Sequence, residues 1–139
     1  DEGEPVLGSD VPERVELVTA SVGNPHAVIR LQAPTRDDLL RLGPTVEAHA
    51  RFPERTNVQL IRVAGRHDLD VLVWERGAGE TRSSGSSSVA AAAVAAAQGW
   101  CDSPVTVHLP GGELLVELDG KRAILTGPAE RICGGETDL

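Results

Sequence analysis

Residues 83–99 read Ser83-Ser84-Gly85-Ser86-Ser87-Ser88-Val89-Ala90-Ala91-Ala92-Ala93-Val94-Ala95-Ala96-Ala97-Gln98-Gly99. Alanine is the strongest helix former, so the second part of this run predicts a helix over about residues 86–99 that stops at Gly99. Its apolar residues go all the way round, which predicts burial on every side. Small side chains would let strands approach it closely. The start of such a helix presents amide N–H groups with no intrahelical acceptor, here those of Gly85, Ser86, Ser87 and Ser88, and that is an anion-binding arrangement. Gly85 carries no side chain to hold a ligand off the backbone, and three serine hydroxyls add donors. Glycine and serine also make flexible linkers, but a linker seldom runs within one residue into an all-apolar helix.

Outward from this run the sequence reads mostly as strands. Upstream lie Leu69–Trp74, the turn Ala64-Gly65-Arg66, and Val58–Val63. Earlier apolar runs at Val15–Thr19 and Ala27–Leu31 predict two more strands. After them Thr35-Arg36-Asp37-Asp38 predicts a helix start, with Thr35 as cap and acids in the first turn. That helix would carry Leu39, Leu40 and Leu42 and end at Gly43-Pro44, and a second short helix would cover Thr45–Arg51. Downstream, Val105–Leu109, the turn Pro110-Gly111-Gly112, Leu114–Leu118, the turn Asp119-Gly120 and Arg122–Thr126 predict a meander. A last strand is expected at Ala129–Cys133. Many antiparallel strands around one buried small-residue helix make an α+β fold, a curled, mostly antiparallel sheet around that helix.

The chain has 139 residues, about one domain, so 1–139 is read as a single domain. Aromatic residues are 2% and Tyr and Met are absent, so the core must come from Val, Leu, Ile and Ala. The net charge of −8 argues against a nucleic-acid surface, which needs clustered Lys and Arg. No apolar run is long and bulky enough to span a membrane, and no signal peptide is seen. The start at Asp1-Glu2-Gly3-Glu4, without Met, suggests a fragment, a processed chain or an untraced start. Cys101 and Cys133 belong to no CxxC pair and read as core thiols of a reducing, cytoplasmic compartment, with a disulfide between them left open. The histidines, His26, His49, His67 and His108, lack zinc-ligand spacing.

Glu75 and Arg76 follow directly on a strand end, where a ligand could be met from a rigid element. Arginine can grip a carboxylate with two hydrogen bonds and glutamate can hold an ammonium, so the pair suits an amino-acid zwitterion. A solvated surface pair is the plainer alternative.

Five separated segments then resemble, in order, those of the diaminopimelate epimerase family. Gly23-Asn24-Pro25-His26-Ala27-Val28 resembles GNPHAV, and Phe52-Pro53-Glu54-Arg55-Thr56-Asn57-Val58 resembles FPxRTNV. Val73-Trp74-Glu75-Arg76-Gly77-Ala78-Gly79-Glu80-Thr81 resembles VxERGxGET. Pro110-Gly111-Gly112 and Gly127-Pro128-Ala129 resemble the later PGG and GPA segments, and the match covers roughly residues 12–134.

The resemblance implies two similar domains, each a curled sheet around a central helix, with the active site between the two helix N-termini. This chain would be the C-terminal one, with the N-terminal domain absent from it. The implied activity is isomerisation: LL- and meso-diaminopimelate interconverted by two-base proton transfer at the α-carbon, in lysine biosynthesis, with no pyridoxal phosphate, other cofactor or metal. One cysteine from each domain flanks the α-carbon, one removing the proton as thiolate and the other returning one. By motif, Ser84, His26 and Glu75 occupy catalytic positions, and Asn24, Asn57, Glu75, Arg76, Gly85 and Ser86 contact substrate. His26 would help set proton states and is the candidate to activate Ser84. Partners would be a small amino acid and the missing N-terminal domain, with a homodimer left open. The family's ACGTGA stretch reads Ser83-Ser84-Gly85-Ser86-Ser87-Ser88 here, so a serine stands where the thiol belongs. The alternative is a divergent relative that binds a small amino acid without catalysis, or acts on a different one.

Overall fold

The computed structural model describes residues 4–6 and 13–138. The one-domain expectation over 1–139 and the start of the resemblance near residue 12 reach into positions outside these. In chain order the elements are β1 (Glu4–Val6), β2 (Glu13–Val15), β3 (Val18–Ser21), β4 (Pro25–Arg30), α1 (Arg36–Glu47), β5 (Asn57–Gly65), β6 (Asp68–Glu75) and β7 (Gly79–Thr81). Then follow α2 (Gly85–Ala97), β8 (Val105–Leu109), β9 (Gly112–Asp119) and β10 (Arg122–Thr126). The fold is α+β. An eight-stranded sheet runs β10-β9-β8-β6-β5-β4-β3, with β7 added on β6, and β1 and β2 form a separate two-stranded ribbon. Pairing is mostly antiparallel, the exceptions being β4 with β5 and β6 with β8.

Strand alternation divides the apolar side chains between two helices. Val28, Ile61, Leu69, Val71 and Val73 face α2, together with Ala91, Ala92, Val94 and Ala95 from the helix itself. Ala27, Ile29, Val58 and Leu60 face the other way, onto Leu39, Leu42 and Val46 of α1. Helix α2 touches β3, β4, β5, β6, β8, β9 and β10, every strand of the continuous path. The sheet therefore curls around it. Burial is close to all-round, as expected, except for a stripe: Ser86 and Ala97 are exposed, and Val89, Ala93 and Ala96 half-buried.

Five expectations need correction. The helix that was to end at Gly43-Pro44 runs on to Glu47, so there is one helix and no separate one over Thr45–Arg51. Its start is as predicted: Asp38 N–H donates to Thr35 Oγ1 at 3.1 Å and Thr35 N–H to Asp38 Oδ2 at 2.9 Å. Beyond Pro44 the helix continues because Ala48 N–H still reaches Pro44 O at 3.1 Å and Val46 is fully buried in the core. Gly43 is no stop signal either. A Cβ there would lie 2.6 Å from Trp74 Cγ and Cδ2, so glycine is what lets the indole of β6 lie on the helix. The strand expected over Val15–Thr19 breaks at residues 16–17, where the chain passes from the ribbon to the main sheet. Val15 and Leu17 pack on the α1 side, Val18 and Ala20 on the α2 side. The turn after β5 falls at Arg66-His67, one step later than read, because a bulge between Val63 and Gly65 extends the strand. Residues 79–81, for which no element was expected, form β7. Ala129–Cys133 is not a strand: residues 127–138 lie irregular and exposed beyond the last strand, with Ile132 93% exposed.

The Gly43–Trp74 contact yields a test. Gly43→Ala would gain roughly 1 kcal/mol of helix propensity, but forcing a methyl into a rigid ring costs roughly 1–3 kcal/mol. Trp74 cannot withdraw freely, since its indole N–H is held by Glu47 at 2.9 Å. A net loss of about 1 kcal/mol or more is expected in urea unfolding, and an unchanged or raised midpoint would show that the ring is loosely held.

Candidate functional site

The register of three strands collects the residues singled out from the sequence at one end of the sheet. His26 on β4 pairs with Asn57 on β5, and Val58 pairs with Trp74 on β6, so Glu75 and Arg76 leave β6 at the same end. Asn57 is buried and joins these strands. Its Nδ2 donates to Pro25 O at 3.0 Å, and its Oδ1 accepts Arg76 N–H at 2.8 Å. One N–H and one lone pair of the amide are thus occupied in holding β4 and β6. Glu75 is half-buried and Arg76 exposed, with Arg76 Nη1 donating to Glu54 O at 3.3 Å.

His26 is 1% exposed and engaged through both ring nitrogens. Asn24 Oδ1 lies 3.0 Å from Nε2, and Gln59 Nε2 lies 2.9 Å from Nδ1. Gln59 donates to Nδ1 in this arrangement, which fixes the neutral tautomer with hydrogen on Nε2, donated to Asn24. Burial, and then the nearby charge of Arg76, push the His26 pKa down to about 4, with the Gln59 hydrogen bond opposing them. The imidazole is therefore neutral at pH 7.

Gln59 also donates to Ser87 Oγ at 3.0 Å, which ties the sheet to the first turn of α2. Ser84 is the N-cap of that helix, with extended backbone and its Oγ accepting Ser87 N–H at 3.2 Å. The Ser88 hydroxyl donates to Ser84 O at 2.7 Å. Ser87 and Ser88 are thus buried parts of the helix start and not the outward donors expected of them. The helix amides left without intrahelical or capping acceptors are those of Gly85 and Ser86. Gly85 has a packing reason as well: a Cβ there would lie 2.8 Å from Leu125 Cδ2 of β10. The approach to Ser84 is pinned from outside, because Gly111 N–H donates to Arg82 O at 2.8 Å and Arg82 Nη2 to Pro110 O at 3.1 Å.

A line of hydrogen bonds therefore runs Asn24–His26–Gln59–Ser87–Ser84. Within it no hydrogen bond joins His26 to Ser84, and the ring nitrogens of His26 are turned to Asn24 and Gln59. The expectation that His26 activates Ser84 thus has no direct hydrogen bond behind it.

Two contributors were not singled out from the sequence. Gln59 carries the link between sheet and helix through Ser87, and a polar residue inside the apolar run Val58–Val63 was a signal for it. The second is Glu47, 5% exposed, at the end of α1. It accepts from Trp74 Nε1 at 2.9 Å and Gly77 N–H at 2.8 Å, and pairs with Arg55 Nη2 at 2.7 Å. Burial alone would raise its pKa. The hydrogen bonds from Trp74 and Gly77 and the charges of Arg55 and Arg76 outweigh that and keep the carboxyl below its usual range. Leu39, Gly43 and Glu47 stand four residues apart on one helix face, a spacing that the assumed break at Gly43-Pro44 conceals. Cys101, buried, and Cys133, exposed, are both free thiols, and neither joins this group of residues.

Comparison with known proteins gives a consistent relationship. The family profile described as "Diaminopimelate epimerase" matches residues 18–132. The diaminopimelate epimerase of Stutzerimonas stutzeri is 47% identical over 129 residues, 91% of this chain and 47% of the relative. That of Pseudomonas entomophila is 47% identical over 126 residues, 89% of this chain and 46% of the relative. The chain thus spans about half the length of these curated relatives. Among solved structures, a phenazine biosynthesis protein of the PhzF family from Bacillus anthracis superposes with a TM-score of 0.57 at 12% identity, covering 89% of this chain and 38% of that one. A putative phenazine biosynthesis PhzC/PhzF protein from Clostridium difficile gives 0.53 at 14% identity, covering 75% and 39%. These superpositions speak for the fold alone.

The depressed pKa of His26 predicts a pH dependence. The folded value of about 4 lies below the ordinary 6.5, so the unfolded chain takes up the proton first as pH falls. Stability should be unaffected by this group above pH 6.5 and should decline between about 6.5 and 4, by about 3 kcal/mol in total. His108 acts in another window: its hydrogen bond to Asp68 raises its pKa, so its contribution is lost as pH rises through the raised value. His26→Gln should flatten the slope below pH 6.5, read from urea midpoints at several pH values. A His26 imidazole NMR signal titrating near 6.5 would contradict the burial argument.

Proposed function

We propose, on the premise that the chain belongs to the diaminopimelate epimerase family, that it supplies one half of the active site of a diaminopimelate epimerase. The observation that carries the reading is the placing of Glu75 and Arg76 at the end of the sheet that Gln59 ties to the first turn of α2. The substrate α-carboxylate is received by the Gly85 and Ser86 amides at the positive end of the helix. Charge on that group grows as the α-proton leaves, so a helix N-terminus stabilises the transition state more than the ground state. Arg76 grips a carboxylate oxygen pair, and Glu75 faces the ammonium. Asn24 and Asn57 keep His26 and the Arg76 amide in place, and Asn57 retains one amide hydrogen for a ligand. His26, neutral and doubly hydrogen-bonded, serves as a fixed part of the wall and not as a proton carrier.

The second acid/base group belongs to the other half of the protein. A base there removes the α-proton from one face, and Ser84 lies at the position that returns a proton from the other. A hydroxyl is a far weaker acid than a thiol of pKa about 8.5. Ser84 also spends an oxygen lone pair on capping α2. That observation favours a second reading, in which the complete protein binds a small amino acid and exchanges its α-proton slowly or not at all. We place either activity in the cytoplasm, where both free thiols would stay reduced.

The test uses the full-length protein with LL-diaminopimelate in D2O. The epimerase reading expects deuterium at the α-carbon, and binding by calorimetry without exchange selects the second reading. Under both, Ser84→Cys should raise exchange by roughly a hundredfold or more and lower helix stability by about 1 kcal/mol, since a thiol caps poorly. A folded wild-type protein that neither binds nor exchanges diaminopimelate would sink the proposal.

A further inference from the structure

Glu47 lies outside every motif of the sequence, yet it reaches both sides of the pair placed at the ligand. Its Oε1 accepts the indole N–H of Trp74, the residue before Glu75, at 2.9 Å. Its Oε2 accepts the amide of Gly77, the residue after Arg76, at 2.8 Å. The amide between, that of Arg76, is taken by Asn57 at 2.8 Å. Three acceptors thus hold three of the four residues 74–77, on both sides of Glu75, at the point where β6 stops.

A buried carboxylate is costly unless paired. Here the pairing comes from Arg55, whose Nη2 lies 2.7 Å from Oε2. Arg55 stands at φ 65°, a left-handed conformation uncommon for a residue with a side chain. Such strain persists where the surroundings impose it, and it clusters at functional sites. Joining α1 to the sheet does not require this charge, because the Trp74 ring already lies on Gly43 and the neighbouring contacts are apolar.

We propose that Glu47 is a positioning residue: its carboxylate sets the Glu75–Arg76 segment in the orientation that receives the amino-acid ligand, an inference that rests on the function proposed above. Glutamine in its place keeps the shape, but its NH2 group would face a donor that the second carboxylate oxygen now accepts. The 75–77 segment should then shift, and the grip on the ligand should weaken equally before and during proton transfer.

The experiment compares full-length wild-type protein with Glu47→Gln, at a temperature where both are folded. The expected result is a Kd for LL-diaminopimelate, by calorimetry, weaker by about tenfold or more. In exchange kinetics KM should rise alike, with kcat within about threefold, the pattern of lost uniform binding. The Gly77 amide proton should also leave the strongly downfield position that a carboxylate acceptor gives it. A folded Glu47→Gln protein with wild-type Kd and KM overturns the inference while the functional reading stands. A wild-type protein without affinity for diaminopimelate overturns both. If Glu47→Gln does not fold, Trp74→Phe carries the test. It removes the indole donor and keeps an aromatic ring on Gly43, and unchanged affinity there would equally refute the role.

Discussion

The structure depends on one steric constraint: a helix can be enclosed by a curled sheet only if its side chains are small enough for the strands to close on it. Helix α2 meets the condition with alanine at most of its positions and touches every strand from β3 to β10 along the continuous path. Larger residues would hold the sheet open. The enclosure decides where chemistry can occur. A helix wrapped along its length offers ligands its ends, and the N-terminal end, with amides lacking intrahelical acceptors, attracts negative charge. The parallel pairing of β4 with β5 then delivers His26 and Asn57 to the same end as Glu75 and Arg76.

Once the helix is seated, the polar residues around its start form a connected set. Gln59 is fully buried and bonds both His26 and Ser87, so sheet and helix share one amide as a joint. Buried polar networks rigidify what they connect. The network runs on to Ser84, whose hydroxyl caps the helix. A thiol at that position ionises far more readily than a hydroxyl, whereas a hydroxyl oxygen accepts the capping N–H bond better than a neutral sulfur does. Serine here therefore defines the helix start, while the amides of Gly85 and Ser86 keep no intrahelical or capping acceptor in either case. Under the proposed function, binding and proton transfer are separable properties of this helix end.

Much of this was legible in the sequence. The alanine run told of a buried helix, alternation told of the strands, and ordered short motifs told of the family. The misreadings share a cause: local rules were applied where tertiary contacts decide. Gly43-Pro44 looks like a helix stop, yet Gly43 is there to admit the Trp74 ring. The break assumed at that point hid Glu47, which belongs to the same helix face as Leu39. Ala129–Cys133 has strand-like composition, but strand identity needs a neighbour, and these residues have none among those described. Ser87 and Ser88 look like ligand donors from their hydroxyls, and only the structure shows that both point inward. Asn57 is another case: its motif marked it as a substrate contact, while its hydrogen bonds show it fastening β4 to β6.

The central claim is that the start of α2 together with the end of β6 receives an amino acid's charged groups. A crystal structure of the full-length protein with LL-diaminopimelate tests it most directly. A ligand carboxylate is expected within hydrogen-bonding distance of the Gly85 and Ser86 amides, with the Arg76 guanidinium and the Glu75 carboxylate against the same amino-acid end. A ligand bound elsewhere, or a carboxylate held without those two amides, would contradict it.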